Sequence, residues 1–345
     1  EQYVPHAVYL TRNGEFQYLK NLKMIKDFYK TNRINISFTN IYGKPFMVED
    51  SLLHSRVLID CVYLAFHGGT GEGGGFQGLF ESINAPFTSP SAESSTLTMN
   101  KVWTKKILRD TGVNLLEDVS ILKNEYEESL EGVTKKVTDK LSFPMIVKPA
   151  HLGSSIGLHI VHDNTELEQA LITSFMMDNE VLIERYVKDF YELNVSLMIK
   201  DGELVCSPIE RPVKKKEILS FDDKYSTGAK KTGGMASLDR ELPAKISIDM
   251  KNEVEKLAKR VYRECKCDGL VRIDFLVENA KIYLEEVNSI PGSLSFYLWE
   301  ASGFTFKEQI TYCIKQGIEK YNERKSRILD YDTDIVDKYI KNKSK

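Results

Sequence analysis

The 345-residue chain lacks the features that would mark a membrane, an oxidising compartment or a nucleic-acid surface. No apolar run approaches the ~20 residues that span a bilayer, and the start carries no signal-peptide pattern. Cysteines are few and odd in number: Cys61, Cys206, Cys265, Cys267 and Cys313. Cys265-Lys-Cys267 is too tight a spacing for a tetrahedral zinc site, so reduced, scattered thiols are expected. Charge of neither sign dominates, with 47 basic against 50 acidic side chains and a net charge of -3. A general nucleic-acid binder is usually strongly basic, so no nucleic-acid partner is expected, and Lys214, Lys215 and Lys216 read as solvated. Internal repeats and low-complexity tracts are absent too. What remains is a cytoplasmic globular protein without membrane contact, 42% hydrophobic and 28% charged, long enough for two or three domains.

Periodicity organises the chain. His6–Thr11 reads as a short strand and Asn21–Thr31 as an amphipathic helix. Val57–Phe66 is nearly all apolar, which suits a strand buried on both faces of a parallel sheet. It runs into His67-Gly-Gly-Thr-Gly-Glu72-Gly-Gly-Gly75 and then a helix over 76–83, an α/β unit that places a first domain at 1–97. Thr98–Gly112 is helical. Phe143–Ala150 and Gly157–His162 read as strands around a Gly-Ser-Ser-Ile-Gly tip, followed by a helix over Thr165–Met177. Val181–Val187 and Leu193–Ile199 are strands. Residues 212–240 form a polar Lys/Gly/Ser-rich loop whose length suits a lid. A helix over Ser247–Cys265, a hairpin Val271–Val277/Lys281–Val287 and a helix from Lys307 to Tyr321 complete the pass.

Five segments carry chemistry. Gly153-Ser154-Ser155-Ile156-Gly157 leaves backbone N–H groups and two hydroxyls free to wrap a phosphate chain, with Lys148 on the preceding strand. Taken alone, the loop is better explained as an ordinary hairpin tip. On the hairpin, Arg272 and Asp274 share a face, as do Glu286 and Asn288 on its partner strand. Pairing the strands can converge Asp274, Glu286 and Asn288, hard oxygen ligands suited to Mg2+. Pro291-Gly292 just beyond can bring a backbone N–H to a reacting centre. Glu184 and Glu192 suit hydrogen bonds to an adenine amine or ribose hydroxyls, and Lys224-Tyr225 suit a mobile cover. His67 and Glu72 stand at a strand's C-terminal end, where ligands bind in open α/β sheets. A solvated strand face, surface glutamates or a disordered basic loop are the plainer alternatives.

In this order the segments resemble the ATP-grasp superfamily and, within it, the D-alanine–D-alanine ligase family. The resemblance runs from about residue 55 to 310. It is carried by HGGTGEGGGFQGLFE (67–81), TMNKVWTKKIL (98–108), VKPAHLGSSIGL (147–158), VLIERYV with Glu192 (181–192), DDKY (222–225), ELPAKIS (241–247) and GLVRIDFLVENAKIYLEEVNSIPG (269–292). It implies an ATP-grasp fold of mixed α/β and α+β character behind a parallel α/β N-terminal domain. The expected divisions are 1–97, a central subdomain 98–180 and a C-terminal subdomain 181–345. Lys101 and Lys148 would contact ATP phosphates together with Ser155. Glu184, Tyr186, Val187 and Glu192 would hold adenine and ribose, and Lys224 would reach the γ-phosphate. Asp274, Glu286 and Asn288 would hold two Mg2+ ions, with Mn2+ as a substitute. Ser154 and Tyr225 look like the family's substrate-orienting pair, and Arg272 and the Gly292 amide like its stabilisers of the reacting centre. His67 and Glu72 would face an amino-acid substrate, and a homodimer is the family's common assembly.

The chain departs from the family pattern in four places. The opening strand, with its glycine-rich turn and glutamate, is absent. Gly73 stands where the family usually has aspartate. Ser293–Trp299 is expected to be shorter than the family's stretch, leaving Tyr297 with Leu298, or Ser295, where a serine usually meets the second substrate's carboxylate. The tail beyond Lys320 is longer. The resemblance thus implies joining of two D-alanines through an acyl phosphate. D-Ala-D-Ser, D-Ala-D-lactate or a specialised dipeptide as product remain open, as does a catalytically silent nucleotide-binding protein.

Overall fold

A computed structural model describes residues 3–153, 155–213, 239–327, 334 and 339–340. Strands β1 (Val8–Leu10), β2 (Phe16–Leu19), β3 (Arg33–Ile41), β4 (Lys44–Glu49) and β5 (Arg56–Leu58) form one sheet in that order, every pair antiparallel. The expected parallel N-terminal sheet is therefore corrected. The run Val57–Phe66 pairs as a strand only to Leu58, leaving a single parallel bridge between Val62 and Phe87. Its apolar character comes instead from packing, since Leu64 is buried with Phe80, Ala85, Phe87 and Ile290. An apolar run reports burial and does not by itself specify pairing. The expected helix at 21–31 is one 3₁₀ turn, Ile25–Asp27. Met24, Ile25 and Tyr29 are exposed there, so an amphipathic helix would have no face to bury.

Short helices α1 (Gly69–Glu72), α2 (Gly75–Ser82), α3 (Ala92–Met99) and α4 (Lys101–Leu108) follow. The single helix expected over 98–112 is broken at Asn100, which leaves helical geometry to cap α4 by accepting a hydrogen bond from the Trp103 N–H.

The central sheet has the order β6 (Asp118–Leu122), β9 (Glu180–Arg185), β7 (Met145–Pro149), β8 (His159–Val161). Among helices α5 (Lys123–Glu128), α6 (Leu130–Thr138) and α7 (Asn164–Phe175), the last two bury Val133, Val137, Leu167, Ala170 and Leu171 against its apolar face. Because β9 pairs with both β6 and β7, this sheet runs past residue 180 to Arg185.

The C-terminal sheet has the order β11 (Glu203–Cys206), β10 (Tyr191–Lys200), β14 (Val271–Glu278), β15 (Lys281–Asn288), beside a ribbon of β12 (Arg211–Pro212) and β13 (Arg240–Glu241). Val254, Leu257, Ala258 and Val261, one stripe of α8 (Ile248–Glu264), pack on Val271, Ile273, Phe275 and Val277 of β14. Strand alternation then turns Arg272, Asp274 and Leu276 to the opposite face. Helices α9 (Phe296–Glu300) and α10 (Phe306–Lys325) close the fold. Among the described residues no helix is long and apolar enough to cross a membrane.

Candidate active site

The faces of β7 and β9 turned from the α6/α7 core meet the outer face of β14–β15 across a cleft. Leu116, Ile146, Val187, Phe190 and Leu276 give it apolar walls, and Glu184, Glu192 and Lys148 give it charge. Lys148 and Glu184 are both buried, at 5% and 3% exposure. The Lys148 ammonium donates to Glu184 Oε2 at 2.5 Å and to Glu285 Oε1 at 3.1 Å, and Glu184 Oε1 accepts from Lys105. Burial alone would raise the Glu184 pKa, but Lys148 and Lys105 pull it down to about 2. Burial pushes the Lys148 ammonium toward losing its proton, and Glu184 with Glu285 reverses that, so the lysine stays charged.

Beside it runs the loop 151–157. Lys101, first residue of α4, donates through Nζ to the Leu152 carbonyl at 2.6 Å, and its N–H reaches Ala150 O at 3.1 Å. The helix start and the loop base are thereby joined. Burial lowers the Lys101 pKa, an effect that Glu286 opposes. Ser155 has a φ of +60° and lines the cleft. Gly157, at φ +71°, leaves no room for a side chain: a Cβ would lie 2.9 Å from Pro149 Cγ. His151 anchors the loop from behind, 2.9 Å from Asp178 Oδ1 through Nδ1 and 3.0 Å from the Asn100 amide through Nε2. Hydrogen bonding to Asp178 raises its pKa.

The hairpin meets at the cleft floor with Arg272 opposite Asn288 and Asp274 opposite Glu286. A register shift follows Asp274, so Phe275 faces Leu284 and Glu285 is the extra residue. The shift lets adjacent Glu285 and Glu286 both line the cleft, which strict alternation would forbid. Arg272 donates to Asp274 twice at 2.7 Å, and the Asn288 amide lies 3.1 Å from Asp274 Oδ2. Burial lifts the Asp274 pKa to about 6 against the pull of Arg272, with Glu286 and Glu192 adding to the rise. Among the described residues no three His, Cys, Asp or Glu groups gather as a metal site. The set at the hairpin is instead two carboxylates and an amide. Its donor chemistry fits a hard divalent cation: oxygen ligands on adjacent strands, in a cluster where burial, with neighbouring carboxylates adding to it, pushes carboxyl pKa values up.

A second cavity of about 460 Å³ adjoins the first and is lined by His67, Glu72, Arg272, Asn288 and Gly292, among others. Glu72 Oε2 accepts from the Gly68 N–H at 2.8 Å, and its carbonyl accepts from Ser289 Oγ at 2.9 Å, so the first glycine-rich loop is tied to the hairpin's end. Burial raises the Glu72 pKa, and burial with nearby Arg272 lowers that of His67. Past Gly292 the backbone makes a left-handed turn, with Ser293, Leu294 and Ser295 at φ 52°, 51° and 49°. Gln309 of α10 holds that turn by donating to Leu294 O at 2.6 Å.

Of the residues singled out from sequence, Lys101, Lys148, Ser155, Glu184, Val187, Glu192, Asp274 and Glu286 line the first cavity. His67, Glu72, Arg272, Asn288 and Gly292 line the second, which Lys101 and Glu286 also border. Tyr186, Tyr297 and Leu298 line neither. Tyr297 is buried, its hydroxyl donating to Glu210 Oε1 at 3.1 Å beneath the Arg240 guanidinium, which sits 4.0 Å from the ring centre and donates to Glu210 Oε2 at 2.6 Å. Ser154, Lys224, Tyr225 and the rest of the expected lid from 214 to 238 lie outside the described residues. Sequence reasoning missed Lys105, Glu210 and Arg240. Lys105 left a signal: it falls three residues from both Val102 and Leu108 on the buried stripe of α4.

The family profile described as D-ala D-ala ligase C-terminus matches residues 107–315. A D-alanine–D-alanine ligase of Thermosipho africanus is 39% identical over 290 residues, 83% of this chain and 76% of its own. One from Thermosipho melanesiensis is 35% identical over 335 residues, 95% and 88% of the two chains. Among solved structures, the D-alanine–D-alanine ligase from Coxiella burnetii superposes with a TM-score of 0.74 at 23% identity, covering 92% of this chain and 85% of that one. The VanG D-Ala:D-Ser ligase from Enterococcus faecalis gives 0.75 at 22% identity, with 90% and 89% covered. With its two cavities meeting at Lys101 and Glu286 and these relatives matched over most of their length, the chain belongs to the D-alanine–D-alanine ligase family, whose fold is the ATP grasp.

Proposed function

We propose that this protein joins two D-alanines by an amide bond, using ATP to activate the first carboxylate as an acyl phosphate. The observation that carries the reading is the shared boundary of the two cavities: Lys101, Leu152, Gly153, Ile156 and Glu286 line both. A nucleotide laid along the first cavity would present its terminal phosphate to an amino acid in the second. A carboxylate is a poor electrophile, and phosphorylation supplies a leaving group. The second amine then attacks, and the Arg272 guanidinium and Gly292 N–H stabilise the negative charge that develops on oxygen. Lys148 and Lys101 hold the phosphates, and Glu184 and Glu192 hold adenine and ribose between Leu116 and Leu276. Asp274, Glu286 and Asn288 would hold two Mg2+ ions, with Mn2+ able to replace them, neutralising phosphate charge. Ser154, Tyr225 and Lys224 complete the reading as substrate-orienting pair and phosphate contact, and the segment 212–240 as the lid that keeps water from the acyl phosphate. The chain would divide near 97 and, because β9 belongs to the central sheet, after Arg185 rather than at 180, and would act as a cytoplasmic homodimer.

A specific observation favours keeping a different second substrate in view. The Tyr297 hydroxyl is committed to Glu210, so it offers nothing to an incoming carboxylate. The test is phosphate release with ATP and Mg2+ across a panel of D- and L-amino acids and D-lactate, with products weighed by mass spectrometry. D-alanyl-D-alanine as the dominant product is expected. A dominant mixed dipeptide or depsipeptide would transfer the assignment to that product, and no release with any partner would end the ligase reading.

A further inference from the structure

Lys105 is a lysine where lysines are seldom found, 5% exposed on the inner face of α4. Its ammonium donates to Glu184 Oε1 and, at 3.0 Å, to the Leu116 carbonyl, and lies 3.4 Å from Asp118 Oδ1. Two hydrogen bonds and a close ion pair thus surround the ammonium, which is what burial of the charge requires. Asp118 and Glu184 are direct partners on β6 and β9, so Lys105 bridges two carboxylates that would otherwise repel. Asp118 has a further cation in Arg109, 3.3 Å away.

Both groups that Lys105 grips, Glu184 and Leu116, line the first cavity, whereas Lys105 itself does not. It works from behind the wall. Glu184 meanwhile carries a second lysine on its other oxygen, Lys148 at 2.5 Å. Without Lys105, Lys148 would be the sole cation on a buried carboxylate and would be held there, away from any phosphate. With Lys105 in place, Glu184 stays ionised and oriented after Lys148 turns to another anion.

We propose that Lys105 is a positioning residue for nucleotide recognition: it fixes Glu184 and the Leu116 carbonyl as the polar edge that reads the adenine amine, and it frees Lys148 for phosphate. The inference rests on the reading above that the first cavity takes the nucleotide. Two substitutions in the full chain test it, Lys105→Met and Lys105→Arg, with Lys105→Gln as a third that can still donate to the Leu116 carbonyl if the methionine variant folds poorly. The probes are ATP and purine riboside triphosphate, which lacks the exocyclic amine, in amino-acid-dependent phosphate release. Calorimetric binding of the corresponding diphosphates is measured alongside. Wild type should prefer ATP by about tenfold or more in kcat/KM, the worth of one hydrogen bond to a charged group. Lys105→Met (or Lys105→Gln) should raise KM for ATP by a similar factor, leave kcat within about threefold and erase the preference for the amine, and Lys105→Arg should restore much of it. A variant that lowers the melting temperature yet keeps the wild-type preference would overturn the proposal and leave Lys105 a structural cation. The binding arm separates the two claims: diphosphates that bind with the expected discrimination while no phosphate is released would count against the ligase reading alone.

Discussion

Arg272 and Asp274, two residues apart on β14, face each other on the strand's cleft side and share two hydrogen bonds of 2.7 Å. Each restrains the other. Among the described residues the third guanidinium nitrogen, Nη1, is buried without a hydrogen-bond partner, while the Glu210 carboxylate lies close enough to favour its charge. The arginine that would stabilise the reacting centre is thus oriented by the carboxylate that would hold metal, and disturbing either disturbs both.

Arg272→Lys should be a poor substitute, because an ammonium cannot keep a two-point contact with Asp274 while reaching the second cavity. A fall in kcat of about 10²–10³, with KM for ATP little changed, is expected from steady-state phosphate release. An unaltered kcat would remove Arg272 from the reacting centre.

Glu286→Gln should abolish turnover, since it takes the carboxylate charge from the Asp274/Glu286/Asn288 set. The informative measurement is activity over a wide Mg2+ titration. Wild-type rates at low Mg2+ would exclude Glu286 as a ligand.

Glu184 predicts an acid limb. Its pKa is about 2 in the folded chain, held down by Lys148 and Lys105 against burial, and near the ordinary glutamate value of 4.5 unfolded. Between those values the unfolded chain binds more protons, so this stabilisation is full above about pH 4.5 and is lost as pH falls toward 2. Denaturant melts from pH 6 to pH 3 should show Glu184→Gln less stable at pH 6 and less sensitive to acid than wild type. Parallel curves for the two proteins would contradict the assignment.

Two glycines of the loop give a paired test. Gly157→Ala must put a Cβ at positive φ and 2.9 Å from Pro149, whereas a Cβ at Gly153 meets nothing within 4 Å. The first should cost at least about 1–2 kcal/mol in chemical denaturation and raise KM for ATP. Gly153→Ala should be close to silent in stability. Equal effects would mean that the loop adapts freely.

Tyr297→Phe removes one donor from Glu210, which keeps Asn194 and Arg240. A loss of about 1 kcal/mol is expected, with unchanged KM for ATP. A tenfold or larger change in KM for the second amino acid would show that the hydroxyl touches substrate after all.

The hairpin was the most legible element in the sequence. Alternation put Asp274, Glu286 and Asn288 on faces that strand pairing could bring together, and the apolar neighbours made the element part of the core. Alternation could not show that Glu285 also enters the cleft, because a bulge adds a residue without any mark in the side-chain pattern. Val57–Phe66 misled for the opposite reason: its residues are apolar because α2 and the segment near Phe87 cover them, and no ladder is required for that. Lys105 escaped notice because a lysine on a helix is usually solvated. Its partners Asp118 and Glu184 come from other strands, so only the fold brings the three together.

The lysine pair on Glu184 also changes what nucleotide binding means here. Lys148 is already paired with Glu184 and Glu285 before any phosphate would arrive. Entry of a nucleotide at the proposed site would then be an exchange of one anion for another. Its free energy is a difference between two large interactions, so modest changes around Lys148 can shift affinity widely without touching the nucleotide.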